Sequence, residues 1–189
     1  AVRSWGNYPE NEKRRIWTAW MGSWRYADLE PVRGLQSVPR TVKLKTFPEG
    51  VRLVQTPIEE LKSIRKVRMT ARDLTFEGVW KADKIKPPRN SYELIAEIDN
   101  ISAEEFGVKI GVGNKQQTIV GYLVKDEEIY VDRRNSGLVD FSGLFPQLNK
   151  GPLKNRTQTL KLHIFVDHSS SEVFANDGEA TISSKIYPD

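Results

Sequence analysis

Residues 160–178, LKLHIFVDHSSSEVFANDG, limit the possible folds more than any other stretch. Leu160, Leu162, Ile164 and Val166 alternate with Lys161, His163, Phe165 and Asp167. That period of two places one row of side chains on a buried sheet face. Asp167, His168 and the three serines after it suit a tight reversal, because short polar side chains hydrogen-bond their own backbone there. Glu172 to Ala175 then runs back, and Asn176-Asp177-Gly178 supplies the positive-φ positions of a second hairpin. Ala180 to Tyr187 reads as a third strand. Such a meander builds a sandwich or barrel rather than a helix-covered parallel sheet, so the expected class is all-β with an antiparallel β-sandwich.

From the start of the chain, Ala1 to Trp5 reads as a strand remnant that begins inside a domain, and Gly6 to Lys13 as a polar loop. Arg14 to Met21 is a dense aromatic strand, and an irregular stretch with Pro31 and Gly34 follows. Leu35 to Thr46 and Val51 to Gln55 form another strand pair, turned by Phe47-Pro48-Glu49-Gly50. Pro57 to Arg65 places a proline at a first helical position, with acids in the first turn and bases in the last. A short linker helix is expected there. Beyond it, strands are expected every 8 to 12 residues or so, with turn signals between.

Composition excludes several chemistries. With 189 residues and 38% hydrophobic content the chain can bury a sizeable core. It has no cysteine, which removes disulfides, thiolate metal sites and a cysteine nucleophile. Only His163 and His168 carry imidazole, and they are read as solvent-facing strand and turn residues without metal-ligand spacing. No apolar run approaches the roughly 20 residues of a membrane span, so no membrane partner is expected. The net charge of +4 permits an acidic partner. The basic cluster Lys62, Arg65, Lys66, Arg68 and Arg72, however, lacks interleaved aromatics and reads as a solvated face, not a nucleic-acid footprint. Gly107 to Lys115 lacks the Lys-Ser/Thr ending of a phosphate loop, and strand and turn glycines account for it.

One cluster has ligand chemistry. Trp17, Trp20, Trp24 and Tyr26 stand close together beside Arg25. Aromatic faces stack on the apolar faces of sugar rings, while indole N–H and tyrosine O–H groups satisfy hydroxyls. Along a strand, Ile16, Thr18 and Trp20 face one way and Trp17, Ala19 and Met21 the other, so at least one tryptophan is expected in the core. The pattern leaves open whether Trp20 or Trp24 reaches a ligand. Asp167, Glu172 and Asp177 are read as turn and edge residues, because nothing marks a carboxylate pair at the separation glycoside hydrolysis requires.

RRIWTAWMGSWRYADLEPVRGLQSVPRTVKL resembles the segment of glycoside hydrolase family 32 (levanases, exo-inulinases and other fructan β-fructosidases) that reads RRxWxGWMxNWxYA, a loop, then SxPRELxL. GVRLVQTPIEELKSIR is similar to that family's next strand and linker. IFVDHSSSEVFANDGEATISSKIYPD resembles its C-terminal signature FVDxSSVEVFxNDGxxxxTxxxxPD. Order and spacing agree along nearly the whole chain. Ala19, Gly22-Ser23 and Thr41 depart from the family pattern, and the loop 28–34 lacks a tryptophan common there.

The resemblance implies a C-terminal portion of such an enzyme. Residues 1–56 would be the fifth and last blade of a five-bladed β-propeller, 57–68 a linker helix, and 69–189 a lectin-like β-sandwich lacking its final strands. The family's carboxylate motifs lie in earlier blades and none is present, so no catalytic residue is assigned. Arg72-Asp73 and Asn176-Asp177-Gly178 only superficially resemble such motifs. Trp20 and Trp24 match the tryptophans that line the family's substrate pocket. The parent enzyme would hydrolyse β-fructosyl linkages with retention, outside the cytoplasm, and without cofactor or metal. Its expected partners are a fructan or sucrose-type carbohydrate, and the missing blades or a second copy of the chain. The alternative is a stand-alone, noncatalytic carbohydrate-binding sandwich, with Trp80 and Tyr122 as its first aromatic candidates.

Overall fold

A serial antiparallel sheet forms first, from β1 (Val2–Ser4), β2 (Arg15–Ala19), β3 (Arg40–Phe47) and β4 (Gly50–Pro57), in that spatial order. The computed structural model describes residues 1–189 except 67, 83–86, 88, 89 and 100. β3 starts at Arg40, five residues later than the alternation from Leu35 predicts. Pro39 has no N–H for the ladder, and residues 36–38 are occupied by loop contacts described below. Pro57 is not the first residue of a helix but the last of β4, paired with Arg40. The linker helix is a single 3-10 segment, Glu59–Ile64. Ile58 offers no side-chain cap and none of the segment's residues is buried, so nothing extends it.

The expected strand rhythm fails directly after this helix. Among the described residues between 65 and 91 there is no strand, and Leu74, Phe76 and Val79 are exposed. Regular structure resumes with β5 (Tyr92–Ile98), β6 (Glu105–Ile110), β7 (Thr118–Leu123), β8 (Glu128–Asp132) and β9 (Leu148–Pro152). β10 (Leu160–Asp167), β11 (Ser170–Ala175) and β12 (Ala180–Lys185) form the meander read from the sequence. His168 and Ser169 turn β10 into β11, and Asn176, Asp177 and Gly178 all have positive φ between β11 and β12.

Two antiparallel sheets, β12-β11-β10-β5 and β6-β7-β8-β9, pack face to face as a β-sandwich. Leu160, Leu162, Ile164 and Val166 of β10 interleave with Val120, Tyr122, Ile129 and Val131 of the facing sheet to form the main core. Gly107 lies in β6, where a Cβ would meet the Val120 carbonyl, and Gly111 makes a positive-φ turn.

β11 is buried on both faces. Ser171, Val173 and Ala175 point into the sandwich, while Glu172 and Phe174 point at the first sheet, where the Arg40 guanidinium lies 4.9 Å from the Phe174 ring centroid. The β11–β12 hairpin reaches β4 directly, with the Gln55 N–H donating to the Gly178 carbonyl at 3.1 Å. The first sheet therefore seats on the outer face of the sandwich.

Candidate functional site

The loop between β2 and β3 carries the aromatic cluster. Trp20 leaves β2 through an isolated bridge to Gln36, and the Met21 N–H donates to the Leu35 carbonyl at 2.9 Å. Ser37 ties the other side, its N–H donating to the Ala19 carbonyl while its Oγ accepts from the Ala19 N–H. The Trp20 ring lies over Gly22, where a Cβ would sit 2.3 Å from it, so this close approach requires glycine. A turn closed by the Tyr26 N–H and the Ser23 carbonyl carries Trp24 back against Trp20, with ring centroids 4.8 Å apart.

The structure brings Trp20 and Trp24 together but exposes them differently. Trp24 is 88% exposed and Trp20 half-buried, while Trp17 lies within β2 and Tyr26 is buried. Tyr26 inserts among Phe141, Phe145 and Tyr187, a second small core at the end of the sandwich. Trp20 lines a cleft of about 260 Å³ together with Arg133, Asn149, Ser183 and Lys185 of the sandwich. Trp24 is not among the residues that line this cleft, but its exposed ring suits stacking on a sugar ring.

Buried charges surround this loop. Lys185 Nζ donates to Glu30 Oε2 at 2.5 Å and to the Val32 carbonyl at 3.0 Å, with both charged side chains almost fully buried. Arg133 Nη2 donates to the Tyr26 hydroxyl at 3.2 Å, and its guanidinium covers the Phe145 ring at 4.2 Å. Glu172 Oε1 accepts from the Val38 N–H at 2.7 Å, and Oε2 accepts from Arg40 Nη2 and from Ser183 Oγ. Burial pushes the Glu172 carboxyl up and the Arg40 guanidinium down from their ordinary ranges, against their mutual attraction. Burial also pushes Tyr187 up to about 12, with Glu30 adding to the effect.

These partners correct two sequence readings. Glu172 is not a turn or edge residue: it is a buried ion-pair partner at the junction of the two parts. His163 does not face solvent: its half-buried ring meets Glu93 at 2.6 Å, and Glu93 also pairs with Arg65 of the basic cluster. Burial lowers the His163 pKa. Tyr122, one of two aromatics considered for a ligand, is core, and its hydroxyl donates to the Leu153 carbonyl at 2.9 Å. The other, Trp80, is partly exposed beside Phe76. Asp167 and Asp177 do sit at turns, Asp167 accepting from Ser91 and Asp177 pairing with Lys161.

Glu30, Arg133 and Lys185 were not singled out by the sequence. Only one signal pointed toward the contact: Val173, Phe174 and Ala175 are consecutive apolar residues in a strand, the mark of burial on both faces. Glu30 and Glu172 are both held in buried ion pairs, with Lys185 and Arg40 respectively. Among the described residues no helix is long and apolar enough to cross a membrane.

Comparison with known proteins agrees with this architecture. Residues 60–189 match the model of the glycosyl hydrolases family 32 C terminal. The whole chain is 41% identical over 198 aligned positions to a levanase of Bacillus subtilis (strain 168), spanning 29% of that protein. It is 32% identical to an extracellular exo-inulinase of Aspergillus awamori, with 89% of this chain and 33% of the relative aligned. The crystal structure of an exo-inulinase from Aspergillus awamori superposes on the entire chain with a TM-score of 0.84 at 28% identity, this chain covering 37% of it. The chain thus spans about a third or less of the relatives it matches. Its sandwich, its junction and its sequence place it in glycoside hydrolase family 32, as that family's C-terminal part.

Proposed function

We propose that this chain is the noncatalytic C-terminal portion of a fructan-hydrolysing β-fructosidase, in which it serves as scaffold and as part of the substrate-pocket wall. In this reading residues 1–56 are the last blade of the propeller, 57–68 the linker and 69–189 the sandwich. Serial antiparallel order in the first sheet supports the blade assignment. Trp20 and Trp24 form the wall, Trp24 presenting its face to the sugar and Trp20 backing it. The substrate is a fructan or a sucrose-type carbohydrate. The observation that carries the proposal is the 41% identity to the Bacillus subtilis levanase across all of this chain.

Retaining hydrolysis needs two carboxyl groups about 5 Å apart across the scissile bond. The chain alone is therefore expected to release no fructose from levan, inulin or sucrose. Release that scales with the amount of protein, in a preparation free of host enzymes, would place the chemistry in this chain and overturn the reading. The remaining partner is the rest of the propeller or a second copy of this chain, which would cover the sheet edges and apolar residues described below.

A further inference from the structure

We infer that Lys185 is a positioning residue: through Glu30 and Val32 the sandwich sets where the tryptophan loop stands, and so sets the shape of the proposed sugar-binding wall. The inference rests on the reading that Trp20 and Trp24 face carbohydrate. What it adds is that the wall is oriented from the other sheet system as well as by the ties to its own blade.

The loop from Trp20 to Pro39 has little structure of its own. Its own bonds include the bridge at Gln36, the Met21–Leu35 bond, the turn bonds from Tyr26 to Ser23 and from Leu29 to Tyr26, and side-chain bonds from the Arg25 N–H to Ser23 Oγ and from Arg33 Nη2 to the Asp28 carbonyl, with Ser37 tied to Ala19 of β2. Sandwich side chains add bonds from across the junction. Arg133 holds the Tyr26 hydroxyl, Glu172 holds the Val38 N–H, and Lys185 holds the middle of the loop at Glu30 and Val32. Tyr26 closes the turn that carries Trp24, so displacement of residues 26–32 moves Trp24 with them.

A buried Lys–Glu pair gains little stability over two apolar residues of similar volume, since both charges are taken out of water. What it does provide is geometry. An ammonium group with a carboxylate on one side and a backbone carbonyl on the other is satisfied in one loop arrangement, while an apolar pair tolerates many. The wall's orientation is then the property that depends on charge at this position, separately from folding.

The test uses the 189-residue chain labelled with 5-fluorotryptophan. Its five tryptophans, at 5, 17, 20, 24 and 80, give five fluorine lines assignable by single Trp→Phe replacement. The informative variant is Glu30→Leu with Lys185→Met, which removes both charges and keeps the volume. It should melt close to the unsubstituted chain, while the Trp20 and Trp24 lines at least double in width or split and those of Trp5 and Trp80 stay unchanged. Should that variant melt early, Glu30→Gln reads out the same lines with its shape kept. Unchanged Trp20 and Trp24 lines, or equal broadening of all five, would overturn the inference. A separate titration of the unsubstituted chain with an inulin-type trisaccharide tests the carbohydrate reading itself. A Trp24 line indifferent to sugar would count against that reading and leave the positioning result standing, because positioning is measured without ligand.

Discussion

Glu172 shows how one side chain joins two sheet systems. It is buried, it accepts from a backbone N–H of the loop before β3, and it pairs with Arg40 on β3 itself. Removing one partner of a buried pair leaves the other charge uncompensated, which costs about 3–5 kcal/mol. Glu172→Ala should therefore lower the denaturant midpoint strongly, whereas Arg40→Met combined with Glu172→Leu should recover much of the loss. Equal losses in the single and double variants would show that burial of shape, and not charge pairing, holds the junction. This role was not legible from sequence. The apolar run Val173 to Ala175 marks a strand covered on both faces, but nothing in it names the distant Arg40 as the partner of Glu172.

Strands and hairpins were far easier to read than their packing. The alternation in β10 and the Asn176-Asp177-Gly178 turn follow from local rules of period and backbone sterics, and both are present. The span 65–91 departs from the expected rhythm for the same reason: turn signals are present, but a strand needs a neighbouring strand to pair with, and none of its described residues is paired in a ladder. Gly178 combines a local and a nonlocal requirement. Its φ is +86°, and a Cβ there would sit 1.8 Å from the Gln55 carbonyl oxygen of β4. Gly178→Ala is expected to cost about 2 kcal/mol or more, from backbone strain plus displacement of the hairpin from β4. Unfolding in urea at unchanged slope measures it. A loss below about 0.5 kcal/mol would mean that the hairpin is not seated on the first sheet.

At the scale of the molecule, the tryptophan pair was legible as a candidate sugar contact, while its support was not. That support comes from residues more than 90 positions away in sequence, Arg133, Glu172 and Lys185, and no short-range pattern marks them. The exposed surfaces carry a second consequence. Leu44 and Leu53 are cross-strand partners and Val51 shares their face, yet they are 75%, 38% and 61% exposed. β5 and β6 are edge strands among the described residues. Unpaired edges template association, and burying each such side chain is worth roughly 1.5–3 kcal/mol. Light scattering at micromolar concentration is expected to give a mass above the 21.6 kDa monomer. A strictly monomeric species with a sharp unfolding transition would show that these surfaces need no cover.

The most direct test of the whole account is transplantation. The segment of the Bacillus subtilis levanase that matches this chain, 29% of that protein, is replaced by these 189 residues, and fructose release from levan is measured. The hybrid should be active. Trp24→Ala within it should raise KM about tenfold, the effect of losing one aromatic contact worth roughly 1.4 kcal/mol, with a smaller change in kcat. A hybrid that folds and releases no fructose, or one in which Trp24→Ala leaves KM unchanged, would contradict the assignment of this chain as scaffold and pocket wall.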